Sequence, residues 1–386
     1  MRLFINSLAA SAGGGLTYIR NVIPHLAAAT GVQVTVAVSP GLREEFRKFA
    51  NVDFVELEVP PARRFWYEQS ALPGVIRHSG ADVLLSSGNF ALRKSPVPQI
   101  LLSRNSIYTS ADFYRDVRAR GEYRLWLDTQ VRAWLAKKSI QWSDVTVAPS
   151  EAFATELRRW TGRPIRAIHH GFDREAFCRD ASPPSLEVEE KLRTADGSLK
   201  FLFVSHYNYY RNFETLLRAL PLLRDLVSPR PVRLLLTCRL IAGADLGAYH
   251  PEAAANLVKE LGVSDMVLEL GAIPYRQLHQ IYRRADIYVS PAYTETFAHP
   301  LVEAMSSGLP VVASDLAVHR EICGDAALYF PRFSAQDLAD RIVEVASSPD
   351  RAVQLSSRGV TRSTAFSWRK HVEELLALAG SLVASK

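Results

Sequence analysis

The sequence predicts an α/β protein of two doubly wound, Rossmann-like domains. Short apolar runs alternate with helical periods along the chain, and that alternation builds a parallel sheet covered on both faces. At 386 residues the chain is long for one core and comfortable for two. A charged, proline-containing stretch, 180–197, separates one β-α series from the next and reads as a linker.

In the first series the strand candidates are Leu3–Asn6, Gln33–Val38, Val83–Ser86, Ile100–Ser103, Val145–Pro149 and Ile165–Ile168. Helical periods cover Leu16–Ala28, Phe65–His78 and Ala152–Trp160. In the second series the strands are Lys200–Val204, Arg233–Thr237, Met266–Leu270, Ile287–Pro291, Pro310–Ser314 and Leu328–Phe330. Helices are expected over Asn212–Asp225 and Tyr275–Ala285, the latter with Leu278, Ile281 and Tyr282 on one face. Trp368–Val383 reads as an amphipathic helix. The expected domains are therefore 1–175 and 176–367, with a terminal helix at about 368–386. Ligands of such sheets sit at the carboxyl ends of the strands.

Hydrophobic content of 48% and charged content of 22% are those of a soluble globular protein. No apolar run approaches the roughly 20 residues that span a bilayer. The opening Met1–Asn6 reads as a strand and not as a signal peptide. Cys178, Cys238 and Cys323 are scattered and form no metal spacing, which fits a reducing compartment. A cytoplasmic protein is expected. The net charge is +6, but residues 61–170 alone carry 17 Lys/Arg against 9 Asp/Glu. There Arg115, Arg118, Arg120, Arg124, Arg132, Lys137 and Lys138 mix with Phe113, Tyr114, Tyr123, Trp126 and Trp134. This mixture suits an anionic membrane surface, an acidic acceptor or nucleic acid. It equally suits a solvated helix pair with its aromatics in the core. Nucleic acid is not an expected partner.

The stretch 290–314, S-P-A-Y-T-E-T-F-A-H-P-L-V-E-A-M-S-S-G-L-P-V-V-A-S, carries the chemistry. It reads strand, loop, helix, strand. Pro300 suits a first helical turn and Gly308 a helix stop. Free amides from Phe297 through Ala298 and His299 to Leu301 would form an anion site at the helix start. Glu295 lies just outside it, and Glu303 one turn into the helix on the rim of the same crevice. Amides hold phosphate and carboxylates accept from hydroxyls, so the expected ligand is a sugar nucleotide.

Two glutamates with seven residues between them, enclosing F-A-H-P-L-V, resemble the signature of the family 4 retaining glycosyltransferases of the GT-B fold. The resemblance implies two Rossmann-like domains facing a central cleft, with the last helix crossing back onto the first. It implies transfer of a sugar from a nucleoside-diphosphate sugar to a hydroxyl acceptor with retention of configuration. The departing phosphate would itself take the acceptor proton on the same face, and no metal or other cofactor is implied. No Asp-x-Asp motif for a divalent ion occurs. Relatives build bacterial polysaccharides or glycolipids, so the expected acceptor is an oligosaccharide or is lipid-linked. Peripheral contact with the inner face of an anionic membrane would follow.

By the same resemblance Glu295 faces the transferred sugar and is tied to turnover, while Glu303 accepts from the ribose hydroxyls. Arg211, in S-H-Y-N-Y-Y-R-N after a strand, is a cation for the leaving diphosphate. His206 stands where a second cation, an arginine, is usual, and Ala298 where glycine is usual. Gly271-Ala272-Ile273-Pro274 resembles the base-contacting loop, represented here by Ile273. In the first domain Gly14 and Gly15, of the loop L-A-A-S-A-G-G-G, would approach the diphosphate. Asn89, Arg104 and Asn105 would face the acceptor or the sugar, Arg104 and Asn105 standing where relatives carry a histidine. A GT-B sugar-nucleotide epimerase and a non-catalytic sugar-nucleotide binder are the alternatives that the same residues leave open.

Overall fold

The computed structural model describes residues 1–10, 13–245 and 249–385. Ser11 and Ala12 of the glycine loop, and the last residue, lie outside them. The chain divides into two compact units. The first comprises Met1–Thr109, Glu122–Gly171 and Ser367–Lys386, and the second Ser110–Gly121 and Phe172–Phe366. The sequence places 110–121 and 172–175 with the first domain; their contacts place them with the second.

The first unit holds a seven-stranded parallel sheet in the order β3-β2-β1-β4-β5-β6-β7. The strands are β1 (Arg2–Asn6), β2 (Gln33–Val38), β3 (Val52–Glu56), β4 (Val83–Ser86), β5 (Gln99–Leu102), β6 (Val145–Ala148) and β7 (Ile165–Ala167). Five strands are near-continuous apolar runs, as expected where both faces are covered. The edge strand β3 escapes the sequence reading because Asp53 and Glu56 interrupt it and only Val52 is fully buried. Helix Gly13–Ala27 packs its Tyr18, Ile19, Val22 and Ile23 onto this sheet.

The final helix, Trp368–Ala384, joins the same core through Val372, Leu375, Leu378 and Ala379. Its return to the first unit is tight. A Cβ on Gly171 would lie 1.9 Å from the backbone nitrogen of Trp368, so only glycine fits. His371 is pinned beneath it, one ring nitrogen 3.0 Å from the Tyr18 hydroxyl and the other 2.9 Å from the His169 carbonyl.

The second unit holds a six-stranded parallel sheet in the order β10-β9-β8-β11-β12-β13. Its strands are β8 (Leu199–Phe203), β9 (Val232–Leu236), β10 (Val267–Glu269), β11 (Ile287–Ser290), β12 (Val311–Ser314) and β13 (Ala327–Phe330). Two expectations are corrected. The stretch 180–197 is not merely a linker, because it contains helix Leu186–Arg193. Ser185 caps it by accepting from the Val188 amide, Glu187 and Glu189 sit in its first turn, and Lys191 and Arg193 in its last. Val188 and Leu192 bury its inner face. The helix expected over Phe65–His78 is two, Pro61–Ser70 and Leu72–His78, broken at Ala71 just before Pro73.

Helix Ala111–Ala119 is bound to the second unit by ions and hydroxyls. Arg120 pairs with Asp116 at 2.7 Å and with Glu214 at 2.9 Å. Its guanidinium lies 4.2 Å from the Tyr209 ring centre. The Tyr293 hydroxyl donates to Asp116 at 2.8 Å, and Arg332 holds Asp112 at 2.7 Å.

Candidate active site

In the second sheet the strand order reverses between β8 and β11, which pair directly. Such a switch point opens a crevice at the carboxyl ends of the strands. The loops leaving β8 and β11 carry Arg211 and Glu295.

Arg211 ends a single 3₁₀ turn, Tyr209–Arg211, that Asn212 closes in the left-handed region at φ 56°. Asparagine tolerates this conformation better than most residues. The Asn212 amide then donates to the carbonyls of Pro291 at 2.9 Å and Arg332 at 2.5 Å, and its oxygen accepts from Thr215 at 2.9 Å. The Tyr293 amide donates to the Tyr210 carbonyl at 3.0 Å. These bonds lock the two loops together and set Arg211 in an ion pair with Glu295. Burial works against the charge on Arg211, but Glu295, with Tyr210 and Tyr288, outweighs it and holds the guanidinium firmly protonated. Its Nε is buried and meets no hydrogen-bond partner among the described residues. The cation is thus fixed, half-buried and only partly satisfied, a poor arrangement for stability but a good one for receiving an anion.

Glu303 is displaced from its expected place on a rim. It is 4% exposed, inside helix His299–Ser306. The Tyr282 hydroxyl donates to it at 2.8 Å. Burial pushes its carboxyl up to about 7, against the hydrogen bonds of Tyr282 and Tyr275. The Tyr288 hydroxyl feels the charges of Glu303, Arg211 and Glu295. No side chain caps the helix at Ala298, which takes φ 60°. The Leu301 amide, however, donates to the Ala298 carbonyl at 3.0 Å, and Pro300 has no N–H. Leu301 therefore drops out of the expected amide cluster. The Phe297 ring itself is core, packed 5.3 Å from Phe366.

His206 lies close enough to Arg211 to feel its charge. Burial first, then Arg211, push its imidazole down to about 4, with Asp245 opposing. Its imidazole is therefore neutral here and not a second cation. Ile273 is half-buried in the loop after β10, which turns at Gly271 with φ 77°.

Sequence reasoning missed His319. It is fully buried, with Nδ1 2.9 Å from the Ser314 carbonyl and Nε2 unpartnered among the described residues. Burial lowers its pKa, while the charges of Glu295 and Arg211 both reach it. It also missed Asn212 and Tyr282. The one available signal was the adjacency of Asn212 to Arg211; His319 lies in helix Ala317–Cys323, for which no period was read.

In the first sheet the order reverses between β1 and β4. Gly14 and Gly15 open the helix after β1, and Gly15 is the crowded one: a Cβ there would meet Ala10 and Arg104 at 3.2 Å. Arg104 donates to the carbonyls of Ser87 at 3.1 Å and Gly14 at 2.8 Å. Burial pushes its guanidinium down to about 10, with Tyr18 opposing. Asn89, at φ 67°, accepts from the Arg104 amide at 2.7 Å, and Asn105 accepts from the Ile107 amide at 3.3 Å. The three polar residues expected to face a ligand are thus engaged in building the loops. A further carboxylate, unforeseen, lies here: Glu68 is 5% exposed, accepts from Asn6 at 3.2 Å and is raised by burial.

Two families match the chain: Glycosyltransferase Family 4 over residues 12–176 and glycosyl transferases group 1 over 185–362. The chain belongs to the family 4 glycosyltransferases. Similar curated proteins include the D-inositol 3-phosphate glycosyltransferases of Nocardia farcinica and Mycolicibacterium vanbaalenii. The first is 29% identical over 54% of this chain and 48% of its own length. The second is 32% identical over 57% and 48%. The chain spans about half the length of the curated relatives it matches. A sucrose-phosphate synthase from Thermosynechococcus elongatus superimposes with TM-score 0.77 at 20% identity, covering all of both chains. Anabaena HepE, solved with UDP-glucose, superimposes with TM-score 0.71 at 16% identity, covering 99% of this chain and 100% of its own. The fold of this family 4 member is therefore GT-B: two parallel-sheet Rossmann-like units with the last helix packed on the first. Among the described residues no helix is long and apolar enough to cross a membrane.

Proposed function

We propose that this protein is a retaining glycosyltransferase that moves a sugar from a nucleoside-diphosphate sugar to a hydroxyl acceptor without a metal. The observation that carries the reading is the Arg211–Glu295 pair at the β8/β11 switch point, with a buried guanidinium nitrogen left unsatisfied. Cleavage of a glycosyl–phosphate bond concentrates negative charge on the departing diphosphate. A cation already fixed in a dry site stabilises that charge without reorganising. Arg211 takes this role, joined by the amides near Phe297–His299. When the diphosphate takes over part of Arg211, Glu295 is freed to accept hydrogen bonds from the sugar hydroxyls and to stabilise developing positive charge at the anomeric carbon.

Glu303, poised near neutrality in pKa, gains charge as ribose hydroxyls donate to it. His206 contributes as a neutral donor. The first unit supplies the acceptor side. The acceptor is an oligosaccharide or a lipid-linked sugar in polysaccharide or glycolipid synthesis, and the enzyme works in the cytoplasm at the inner face of the membrane. Support for a nucleotide-sugar donor comes from HepE, a structural neighbour solved with UDP-glucose.

The test is a panel of nucleotide sugars screened by thermal shift, since a ligand of the native state raises Tm. Transfer is then assayed with the stabilising donor, with and without a chelator. Retention is read from the anomeric configuration of the product. Glu295→Ala is expected to abolish transfer and keep nucleotide binding. A donor converted without any acceptor sugar into its epimer would instead identify an epimerase.

A further inference from the structure

Helix Tyr123–Trp142 of the first unit is built the wrong way round for a helix of a soluble protein. The face it turns to the protein is made of small residues, Thr129, Ala133, Ala136 and Ser139, with Ile140. Ala133 and Ala136 pack with Tyr108, Phe90 and Trp160. Its bulky apolar residues face out: Tyr123 is 66% exposed, Leu127 59%, Val131 52% and Trp134 58%. Their spacing of four, four and three residues puts them on one stripe, three turns long. Single exposed apolar residues need no explanation, but a continuous stripe does.

The charges beside the stripe have one sign. At 3.6 residues per turn, Arg124 falls on one flank, Lys137 on the other, and Lys138 continues the line of the stripe one turn past Trp134. The acid nearest that arc, Asp128, lies beyond Arg124 and is already paired with Arg132 at 2.7 Å. The neighbouring helix Pro61–Ser70 adds Arg63, Arg64 and Trp66, the last 72% exposed. The two helices are linked through Phe90, whose ring lies 6.4 Å from Phe65 and which packs against the Tyr108 cluster. The basic and aromatic character read over 113–138 therefore resolves into two parts. Phe113 is buried and Arg120 is consumed by Asp116 and Glu214, so the surface begins at Tyr123.

We propose that the helix Tyr123–Trp142 docks the first unit onto an anionic lipid surface. Tyr123, Leu127, Val131 and Trp134 enter the headgroup layer, where an aromatic ring is at home, and Arg124 and Lys138 meet lipid phosphates. An interfacial helix needs this combination of an apolar face with flanking cations. A second protein copy would bring the same cations against each other, so the charge favours lipid. The inference deepens the location proposed at the membrane's inner face, on which it rests, by naming the surface that makes the contact. Vesicle binding requires no sugar transfer, so each can fail alone.

The experiment is co-sedimentation of the full chain with phosphatidylcholine vesicles, with and without roughly one third phosphatidylglycerol. Leu127→Gln/Trp134→Gln and Arg124→Glu/Lys138→Glu are measured beside the wild type, with Tm confirming that each folds. Wild type is expected to bind the anionic vesicles and release them at high salt. Each double variant is expected to lose about tenfold or more in partitioning. Quenching by brominated lipid is expected to fall in Trp134→Phe. Wild type that ignores both vesicles, or binds both equally, overturns the proposal. So do variants that bind like wild type, including a case where the apolar substitutions dissolve a dimer and leave lipid binding unchanged.

Discussion

Two arginines, one in each unit, follow strands that border or adjoin a switch point, and they are used in opposite ways. Arg104 in the first unit spends its guanidinium on the backbone carbonyls of Ser87 and Gly14 and donates its own amide to the Asn89 side-chain oxygen. Arg211 in the second is set against a single carboxylate and keeps a buried nitrogen unsatisfied. A hydrogen-bonded arginine rigidifies a loop, whereas an under-satisfied one holds interaction energy in reserve for a ligand. Residue type alone does not separate the two. Satisfaction does.

Removal of each arginine should therefore injure different properties. Arg211→Ala is expected to lower transfer by about 10²–10³-fold, the range for losing one charge-stabilising group from a dry site. The chain should stay folded by circular dichroism, and Arg211→Lys should recover part of the rate. Arg104→Ala is expected to act on stability. It strands two carbonyls, at about 1–3 kcal/mol each, and the glycine loop with them. A denaturant titration should show the loss, and transfer by the remaining folded protein should fall by less than roughly tenfold. An Arg104 variant of full stability and no activity would reverse the assignment of the two residues.

How much was readable beforehand follows the same division. The strands were legible because buried parallel strands are apolar runs, and the glutamate pair because its spacing sits between a strand and a proline-started helix. Arg211 and Glu295 stand out in the sequence, but their mutual pairing does not, because it depends on Asn212 bridging residues about 80 and 120 positions away. Glu303 illustrates the limit. Position within a helix is periodic, yet which side meets the core depends on where Tyr282 comes to lie. Helix 186–193 was hidden because its dense charges, acidic at the start and basic at the end as suits the helix dipole, look like those of a linker.

A second contrast lies between Glu295, paired with the Arg211 guanidinium, and Glu303, which accepts from the Tyr282 hydroxyl. Burial raises the Glu303 carboxyl to about 7 from an ordinary value near 4.5. In the unfolded chain it loses its proton at lower pH, so between about pH 4.5 and 7 the native state holds more protons than the unfolded one. Stability from this group is complete below that window and falls as pH rises through it. Glu303→Gln, which keeps the shape without the charge, is expected to be more stable than wild type at pH 8 by on the order of 1–3 kcal/mol. The gap should close near pH 4.5. Paired Tm measurements across this range check the sign, and a gap that widens on acidification would mean that the carboxylate is stabilised where it lies. Weaker nucleotide binding by the same variant would tie the cost to the ligand.

The smallest effect concerns His206, and it sharpens the contrast with Arg211 in the same loop. Burial and the neighbouring guanidinium push its imidazole down to about 4, so at neutral pH it carries no charge. An arriving diphosphate favours the protonated form, but it must first overcome desolvation and the repulsion of Arg211. While the ring stays neutral it contributes one hydrogen bond, worth about 1 kcal/mol or roughly fivefold in affinity. His206→Asn should therefore weaken nucleotide binding by about that factor, and the ratio to wild type should hold within about twofold from pH 6.5 to 8.5. Calorimetry in two buffers of different ionisation enthalpy measures the proton uptake directly. Uptake near one proton on binding, with a ratio that grows steadily as pH falls, would make His206 a ligand-induced cation and give the loop two charges for the diphosphate instead of one.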